Sequence, residues 1–334
     1  MTDLSLAQAF VPYSRWAHRG LFYWLGSPKK AIQALDNVPV AVRIKPSADP
    51  TLAERDWVVR FSHDRQRWGD RIGLTFENGS CIASPASRWR AVAKALWTMV
   101  ERDPAITFEE VPVHIGDVCG PLLPPDVFAF ARLRGTRRPL LPCPNLIRGK
   151  AHLPAATRWE SKTDTLYFRG VDTGLPDLDR NARVALCRAA QAIPGADCHL
   201  SRVLQFTGAE AERLHLEGLV QHSLPLGEMN RHRFLVDCDG NSTSWDRYLH
   251  IGSFGGVPIL FEPTWEECWH HLLVDGENCL VVDRRSLEGT MAKLRAEPDL
   301  ARRIAGNASR MVAEQLGPAG VQAMFEAAWR ERLA

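Results

Sequence analysis

The spacing of apolar residues along this chain becomes regular after residue 164. In this second half, short apolar runs such as HRFLVDC (232–238) and GVPILFE (256–262) predict buried strands. Segments such as RNARVALCRAAQA (180–192) and TWEECWHHL (264–272) have the apolar spacing of helices. Alternating strands and helices are typical of a doubly wound parallel sheet, so the second half is predicted to be an α/β domain.

The first half of the chain is less regular. Scattered aromatic residues predict short helices in the first 35 residues, and apolar residues at helical spacing predict a helix over 88–103. Four runs with the alternation of strands lie at 38–45, 56–63, 71–79 and 108–117.

The change in pattern predicts two domains. We place an N-terminal domain at 1–160 and a second domain at 161–316. The last helix, 317–334, is predicted to pack back on the N-terminal domain.

Composition and charge exclude several classes of protein. The 334 residues include 41 basic and 39 acidic side chains, a net charge of +2, which gives no general support for nucleic-acid binding. No apolar run approaches the roughly 20 residues that span a bilayer, and the N-terminal residues lack the pattern of a secretory signal. We therefore expect a cytoplasmic protein.

The eight cysteines fit a reducing compartment. None forms a C-x-x-C pair, and spacing of the zinc type is absent. Cys187, Cys238 and Cys279 lie within apolar runs and are predicted to be buried free thiols.

The stretch LVDCDGNSTSWDRYLHIGSFGGVPILFE (235–262) has the pattern of a ligand site. A buried strand breaks into a polar loop and then a helix, and α/β proteins bind ligands at such strand ends. We expect the helix to begin near Ser244 and Arg247 to lie one turn into it, where it can bind a phosphate. Alternatively, Arg247 is a surface arginine and the hydroxyl residues before it only cap the helix. Asp237 and Asp239 also form a D-x-D pair, a pattern that binds manganese in other proteins.

Longer segments carry a resemblance to a known family. The stretch 255–283 is similar to the nucleotide-sugar domain of GT-B glycosyltransferases. Two segments, YFRGVDTGLPDLDRNARVALC (167–187) and RFLVDCDGNSTSWDRYLHIGS (233–253), resemble glycosyltransferase family 90, which includes capsular xylosyltransferases, protein O-glucosyltransferases and bacterial lipopolysaccharide-modifying enzymes. The resemblance covers about 165–312. Family 4 is a poor match, because Ile251 stands where that family has a glutamate.

The resemblance implies a GT-B enzyme, with two Rossmann-like domains that face each other across a cleft. It implies inverting, metal-independent transfer from a UDP-sugar, glucose or xylose, to a hydroxyl of a lipopolysaccharide or capsule type of glycan. No cofactor or metal is expected, and a lipid-linked acceptor would bring the protein to the inner face of the membrane. The donor contacts that it implies are Arg169, Gly170, Thr173, Arg183, Asp239, Gly240, Asn241, Ser242, Ser244 and Arg247.

Two of these assignments have alternatives. Arg180 competes with Arg183 for the diphosphate, and Arg169 is equally consistent with a salt-bridged arginine at a strand end. Asp239 is interpreted as a residue that organises its loop or contacts the donor, and Asp237 as structural.

An inverting transfer also needs a base for the acceptor hydroxyl. Family members place an aspartate after a strand of the N-terminal domain, and Asp117 matches that position. His114 is the alternative base, and Asp117 is otherwise a turn residue. The rival function is a non-catalytic protein that binds nucleotide sugars or glycans with the same fold.

Overall fold

The computed structural model of the protein describes residues 38–44, 57–76, 86–118, 123–149 and 153–333. The chain forms two compact units, Met1–Arg148 with Val321–Ala334, and Gly149–Gly320. The helices predicted in the first 35 residues lie outside the described residues.

The first unit contains a mixed four-stranded sheet. Its strands are β1 (Val40–Ile44), β2 (Val58–His63), β3 (Ile72–Phe76) and β4 (Phe108–His114), in the order β1-β3-β2-β4. β1 and β3 are parallel, whereas β2 runs antiparallel to both of its neighbours. This sheet differs from the Rossmann-like arrangement expected for residues 1–160. Only residues 64–71 join β2 to β3, and a parallel crossover needs a dozen residues or more.

Helices and short segments complete the first unit. They are α1 (Arg65–Trp68), α2 (Ala86–Arg102), the two-residue strand β5 (Arg132–Leu133) and α3 (Pro144–Arg148). α2 buries an apolar face that includes Trp89, Val92 and Leu96, as the helical spacing predicts.

The last helix contributes an aromatic side chain to the core of the first unit. Trp329 is fully buried, its ring stacks on Phe128 with centroids 5.4 Å apart, and it meets Phe61 and Phe108 edge-on. Residues from Val321 onward therefore belong with this core.

The second unit is built on a parallel sheet. Its strands are β6 (Thr163–Val171), β7 (Ala196–Arg202), β8 (His232–Cys238), β9 (Val257–Phe261) and β11 (Leu280–Val282), and β10 (Trp265–Glu266) is a separate short strand. The sheet order is β11-β9-β8-β6-β7, and every pairing is parallel. Val220 extends the sheet beyond β7 through a parallel bridge to Leu200. With that segment, the order is 3-2-1-4-5-6, that of a Rossmann domain. The predicted α/β class is confirmed.

Helices lie between the strands of the second unit and after its last strand. They are α4 (Ala182–Ala190), α5 (Gly208–Leu216), α6 (Arg247–Ser253), α7 (Leu287–Ala296) and α8 (Pro298–Gln315), followed by α9 (Pro318–Leu333). Three short 3₁₀ turns lie at Trp159–Ser161, Leu226–Arg231 and His270–Leu272.

Two helix predictions are wrong. α6 begins at Arg247 and not near Ser244, and residues 264–272 form β10 and a 3₁₀ turn in place of a helix. The main-chain N–H groups of Thr264 and Trp265 donate to the Asp239 carboxylate. Such long-range contacts override the helical spacing of this segment.

The predicted buried thiols are confirmed. All three of Cys187, Cys238 and Cys279 are buried, and burial raises the pKa of the Cys187 thiol to about 12. Among the described residues, no helix is both long enough and apolar enough to cross a membrane.

Candidate ligand site at the carboxyl edge of the second sheet

The strand order of the second unit reverses between β6 and β8. β6 leads outward to β7, whereas β8 leads outward to β9 on the other side. In open α/β sheets, ligands bind beyond the carboxyl ends of the strands at such a point. The residues that follow Val171 and Cys238 are therefore the candidate site.

Arg183 joins the ends of these two strands. From α4, its Nη1 donates to the Val171 carbonyl (2.9 Å) and to Thr173 Oγ1 (2.8 Å). Its Nε donates to the Asp239 carbonyl at 3.0 Å, and its Nη2 to that of Cys238 at 3.3 Å. The side chain is buried, and burial lowers the pKa of its guanidinium. Most of its donors are thus used to hold both strand ends together.

Gly240 provides the space for this arginine. A Cβ at Gly240 would lie 2.6 Å from Arg183 Nη2 and 2.9 Å from Thr173 Oγ1. Arg180, the competing candidate, is exposed on the surface. The structure therefore brings Arg183, Thr173 and Gly240 together, and Arg180 is not among these contacts.

Arg247 is the first residue of α6. Its Nη2 donates to the Arg169 carbonyl at 3.0 Å, and its guanidinium carbon lies 4.8 Å from the centroid of the Phe168 ring. Its Nε is buried and has no hydrogen-bond acceptor among the described residues. A buried donor of this kind favours a ligand that brings an acceptor.

Arg169 forms an ion pair at the end of β6, the alternative role that the sequence allowed. Its Nη2 lies 2.6 Å from Asp197 Oδ1, and its side chain is only 8% exposed. Its Nε also has no acceptor among the described residues. Gly170, next to it, faces the Phe168 ring, from which an added Cβ would be 2.7 Å away. Gly170 is thus a packing position.

The loop between β8 and α6 is held by its own side chains. Ser244 donates to Asp237, and Thr243 donates to the buried Glu267 at 2.7 Å. Ser242 is buried and accepts from Trp245 Nε1 at 3.4 Å. Trp245 has a φ of +62°, a strained conformation for a residue with a side chain, and such strain clusters at functional sites.

Asn241 lies in the same loop, and its Oδ1 is buried without a partner among the described residues. A buried acceptor without a donor is unfavourable, so this amide oxygen favours a ligand hydroxyl that donates to it.

Asp239 organises the loop after β9. Its Oδ2 accepts from Thr264 N (2.7 Å), Thr264 Oγ1 (3.1 Å) and Trp265 N (3.0 Å). Burial raises its pKa to about 6 in spite of these donors. The geometry agrees with the interpretation of Asp239 as a loop-organising residue.

Asp172 organises the loop after β7, as Asp239 organises the loop after β9. Asp172 was not identified from the sequence. It is fully buried after β6 and accepts from three consecutive main-chain N–H groups, those of residues 204–206 after β7. Asn181 was also missed. It caps α4 and donates to the Asp172 carbonyl at 3.0 Å. The available signal was an aspartate directly after a predicted strand, the pattern that drew attention to Asp239.

A pocket of about 290 Å³ opens beside these residues. Residues 221–231, which lead to β8 with only a 3₁₀ turn, form part of its lining. One wall is apolar and consists of Leu224, Pro225, Leu226 and Met229. The polar lining includes Arg169, Ser244, Asp246, Arg247 and His250.

The predicted base lies in the first unit, three residues after β4. Asp117 is partly exposed and forms an ion pair with Arg88, whose Nη2 lies 2.6 Å from Asp117 Oδ1. Arg88 also donates to the Ile115 carbonyl at 2.9 Å, so it holds this turn against α2.

His114, the alternative base, is buried in the same strand. Burial, followed by the charges of Arg138 and Arg88, lowers the pKa of His114 to about 3. A Cβ at Gly116 would lie 2.5 Å from its ring. A neutral, enclosed imidazole with so low a pKa is a poor proton acceptor.

Several solved glycosyltransferase structures are similar to part of this chain. Anabaena Alr3699/HepE in complex with UDP and glucose is 11% identical over 49% of this chain and 48% of its own, with a TM-score of 0.37. The C-terminal domain of LpcC from Francisella tularensis is 14% identical over 45% of this chain and 85% of its own, with a TM-score of 0.34.

Sucrose-phosphate synthase from Thermosynechococcus elongatus is 16% identical over 49% of this chain and 45% of its own, with a TM-score of 0.36. The alignments thus span about half the length of HepE and of the synthase. No family model matches the sequence, and no curated protein matches it.

Proposed function

We propose that the protein is a family 90-like glycosyltransferase that moves a sugar from a UDP-sugar, glucose or xylose, to a hydroxyl of a glycan acceptor of the lipopolysaccharide or capsule type. The transfer proceeds with inversion and without a metal. The donor binds at the carboxyl edge of the second unit, and Asp117 of the first unit is the base.

One observation carries this proposal. The two segments that resemble family 90, 167–187 and 233–253, meet at the point where the strand order reverses. Arg183 of the first segment donates a hydrogen bond to the Asp239 carbonyl of the second. Arg247 of the second segment donates to the Arg169 carbonyl of the first. Both segments therefore supply residues to the edge of the sheet at which α/β folds bind ligands.

The pocket beside Arg247 has the chemistry of a nucleotide site. The arginines that line it, Arg169 and Arg247, suit a diphosphate, whose negative charge increases as the glycosidic bond breaks. Its apolar wall suits the faces of a nucleobase better than a hexose, whose hydroxyl groups need polar partners.

Arg247 is the predicted diphosphate ligand with the fewest protein partners. Arg247→Ala is expected to weaken UDP binding by roughly 10- to 150-fold, the loss of one or more charge-assisted hydrogen bonds. Arg247→Lys should restore little, because an ammonium group cannot reproduce the planar fork. Calorimetric titration of UDP measures this, with the exposed Arg180→Ala as the matched control. Equal UDP affinity in the Arg247→Ala and Arg180→Ala variants would place the phosphates elsewhere.

Transfer is expected to survive excess EDTA. Asp237 accepts from Ser244, and Asp239 accepts from residues 264–265, so both carboxylates of the D-x-D pair have protein donors. Sugar transfer measured with and without EDTA should agree within about twofold, since arginine and hydroxyl donors stabilise the leaving group. A loss that manganese restores would reassign both aspartates as metal ligands.

The non-catalytic alternative is supported by the Asp117–Arg88 ion pair, which gives Asp117 a structural role of its own. Release of labelled sugar from UDP-glucose or UDP-xylose, measured beside UDP binding, separates the two functions. Binding without any release or transfer would favour the binding protein.

A further inference from the structure

Arg169 is held by residues that do not line the pocket. Its Nη1 donates to the Asp197 carbonyl at 2.9 Å, and its Nη2 donates to Asp197 Oδ1 at 2.6 Å and to Gln221 Oε1 at 3.0 Å. Asp197 and Gln221 are absent from the pocket wall, whereas Arg169 is part of it. These two side chains therefore affect the pocket through their contacts with Arg169.

His199 closes these contacts into a ring of hydrogen bonds. Its Nε2 lies 3.0 Å from Gln221 Nε2, and its Nδ1 lies 3.0 Å from Asp197 Oδ1. Since the Gln221 amide nitrogen can only donate, His199 accepts at Nε2 and carries its proton on Nδ1, which donates to Asp197. In this tautomer the 3.3 Å contact between Arg169 Nη1 and His199 Nδ1 is not a hydrogen bond. Burial, followed by the charge of Arg169, lowers the pKa of His199. The cycle of hydrogen bonds requires the neutral imidazole that this shift favours.

Arg169 also contacts Arg247, through its main chain. The Arg169 carbonyl accepts from Arg247 Nη2 at 3.0 Å, so the position of β6 at this residue sets the position of the Arg247 guanidinium. Both arginines line the pocket, and both keep a buried Nε without an acceptor among the described residues. The two arginines are thus in contact with each other at the pocket wall.

We propose that Asp197, His199 and Gln221 are positioning residues that hold the Arg169 side chain in the geometry that binds the diphosphate of the donor. This inference rests on the proposed function. The residues act through Arg169 and do not touch the ligand. Their effect is on donor affinity and not on the chemical step.

The test compares two ion pairs of the same sheet by calorimetric titration of the full chain with UDP. Asp197→Ala is expected to weaken UDP binding by about tenfold or more, because Arg169 loses its charged acceptor. Asp197→Asn keeps an acceptor oxygen and should restore most of the affinity. The matched control is Asp164→Ala, which removes an aspartate 2.6 Å from Arg233 near the start of β6 and should leave UDP affinity unchanged.

A double-mutant cycle separates positioning from a general loss of stability. If Asp197 acts through Arg169, Asp197→Ala should weaken UDP binding no further in an Arg169→Met background. Additive effects, or wild-type affinity in Asp197→Ala, would overturn this inference and leave the proposed function standing. If the wild-type chain binds neither UDP nor a UDP-sugar, the proposed function itself fails, and the inference fails with it.

Discussion

Asp117→Asn is expected to lower sugar transfer by about 10²–10⁴-fold and to leave the affinity for UDP unchanged. The amide keeps the shape of the carboxyl group but cannot take the proton of the acceptor hydroxyl. Donor affinity should be unaffected, because the predicted donor contacts all lie in the second unit. Transfer assays and UDP titration on the same preparation measure both quantities.

The ion pair with Arg88 provides the control for this prediction. Arg88→Met removes the pair but keeps the Asp117 carboxylate, so transfer should persist. If Asp117 only holds its turn, both variants should instead lose stability by similar amounts and retain transfer in proportion to the folded fraction. Near-wild-type transfer by Asp117→Asn would remove the base assignment and favour the binding protein.

Arg183→Met is expected to destabilise the second unit by about 3 kcal/mol or more. The substitution leaves the Asp239 and Val171 carbonyls without their donor, and each unsatisfied buried group costs about 1–3 kcal/mol. UDP affinity should also fall, since the two strand ends are no longer held together. Chemical denaturation measures the stability.

Arg180→Met is the matched control for Arg183. Arg180 is an exposed arginine three residues earlier, and its substitution should change the free energy of unfolding by less than about 0.5 kcal/mol. Arg183→Lys should recover little stability, because one ammonium group cannot reach acceptors on both strands in the geometry of the guanidinium. Equal stability of the Arg183→Met and Arg180→Met variants would contradict the role of Arg183 as a link between β6 and β8.

The second unit was predictable because its strands are buried on both faces. Such strands appear in the sequence as continuous apolar runs, and β8 and β9 follow that pattern. The polar residues after β8 were found for the same reason, since they interrupt an apolar run. The antiparallel direction of β2 and β3 follows from the short connection between the predicted strands 56–63 and 71–79, which is too short for a parallel crossover. The pairing of β2 with β4 was not predictable, because alternation of apolar and polar residues does not specify which strands are neighbours.

Contacts distant in sequence explain the remaining differences. Asp172 accepts from residues 32 to 34 positions away, and Arg169 meets Asp197 28 positions away, so no local pattern marks these partners. The segment 264–272 has helical spacing, yet Asp239 and Thr243 determine its conformation through hydrogen bonds. The roles of Arg169 and Arg183 likewise depend on acceptors that only the folded chain brings near.

Calorimetric titration of the full chain with UDP tests the central claim most directly, because the site at the carboxyl edge of the second sheet must first bind a nucleotide. We predict saturable binding of one UDP per chain, for which UDP-glucose or UDP-xylose competes. The absence of binding for UDP and for both UDP-sugars would contradict the account.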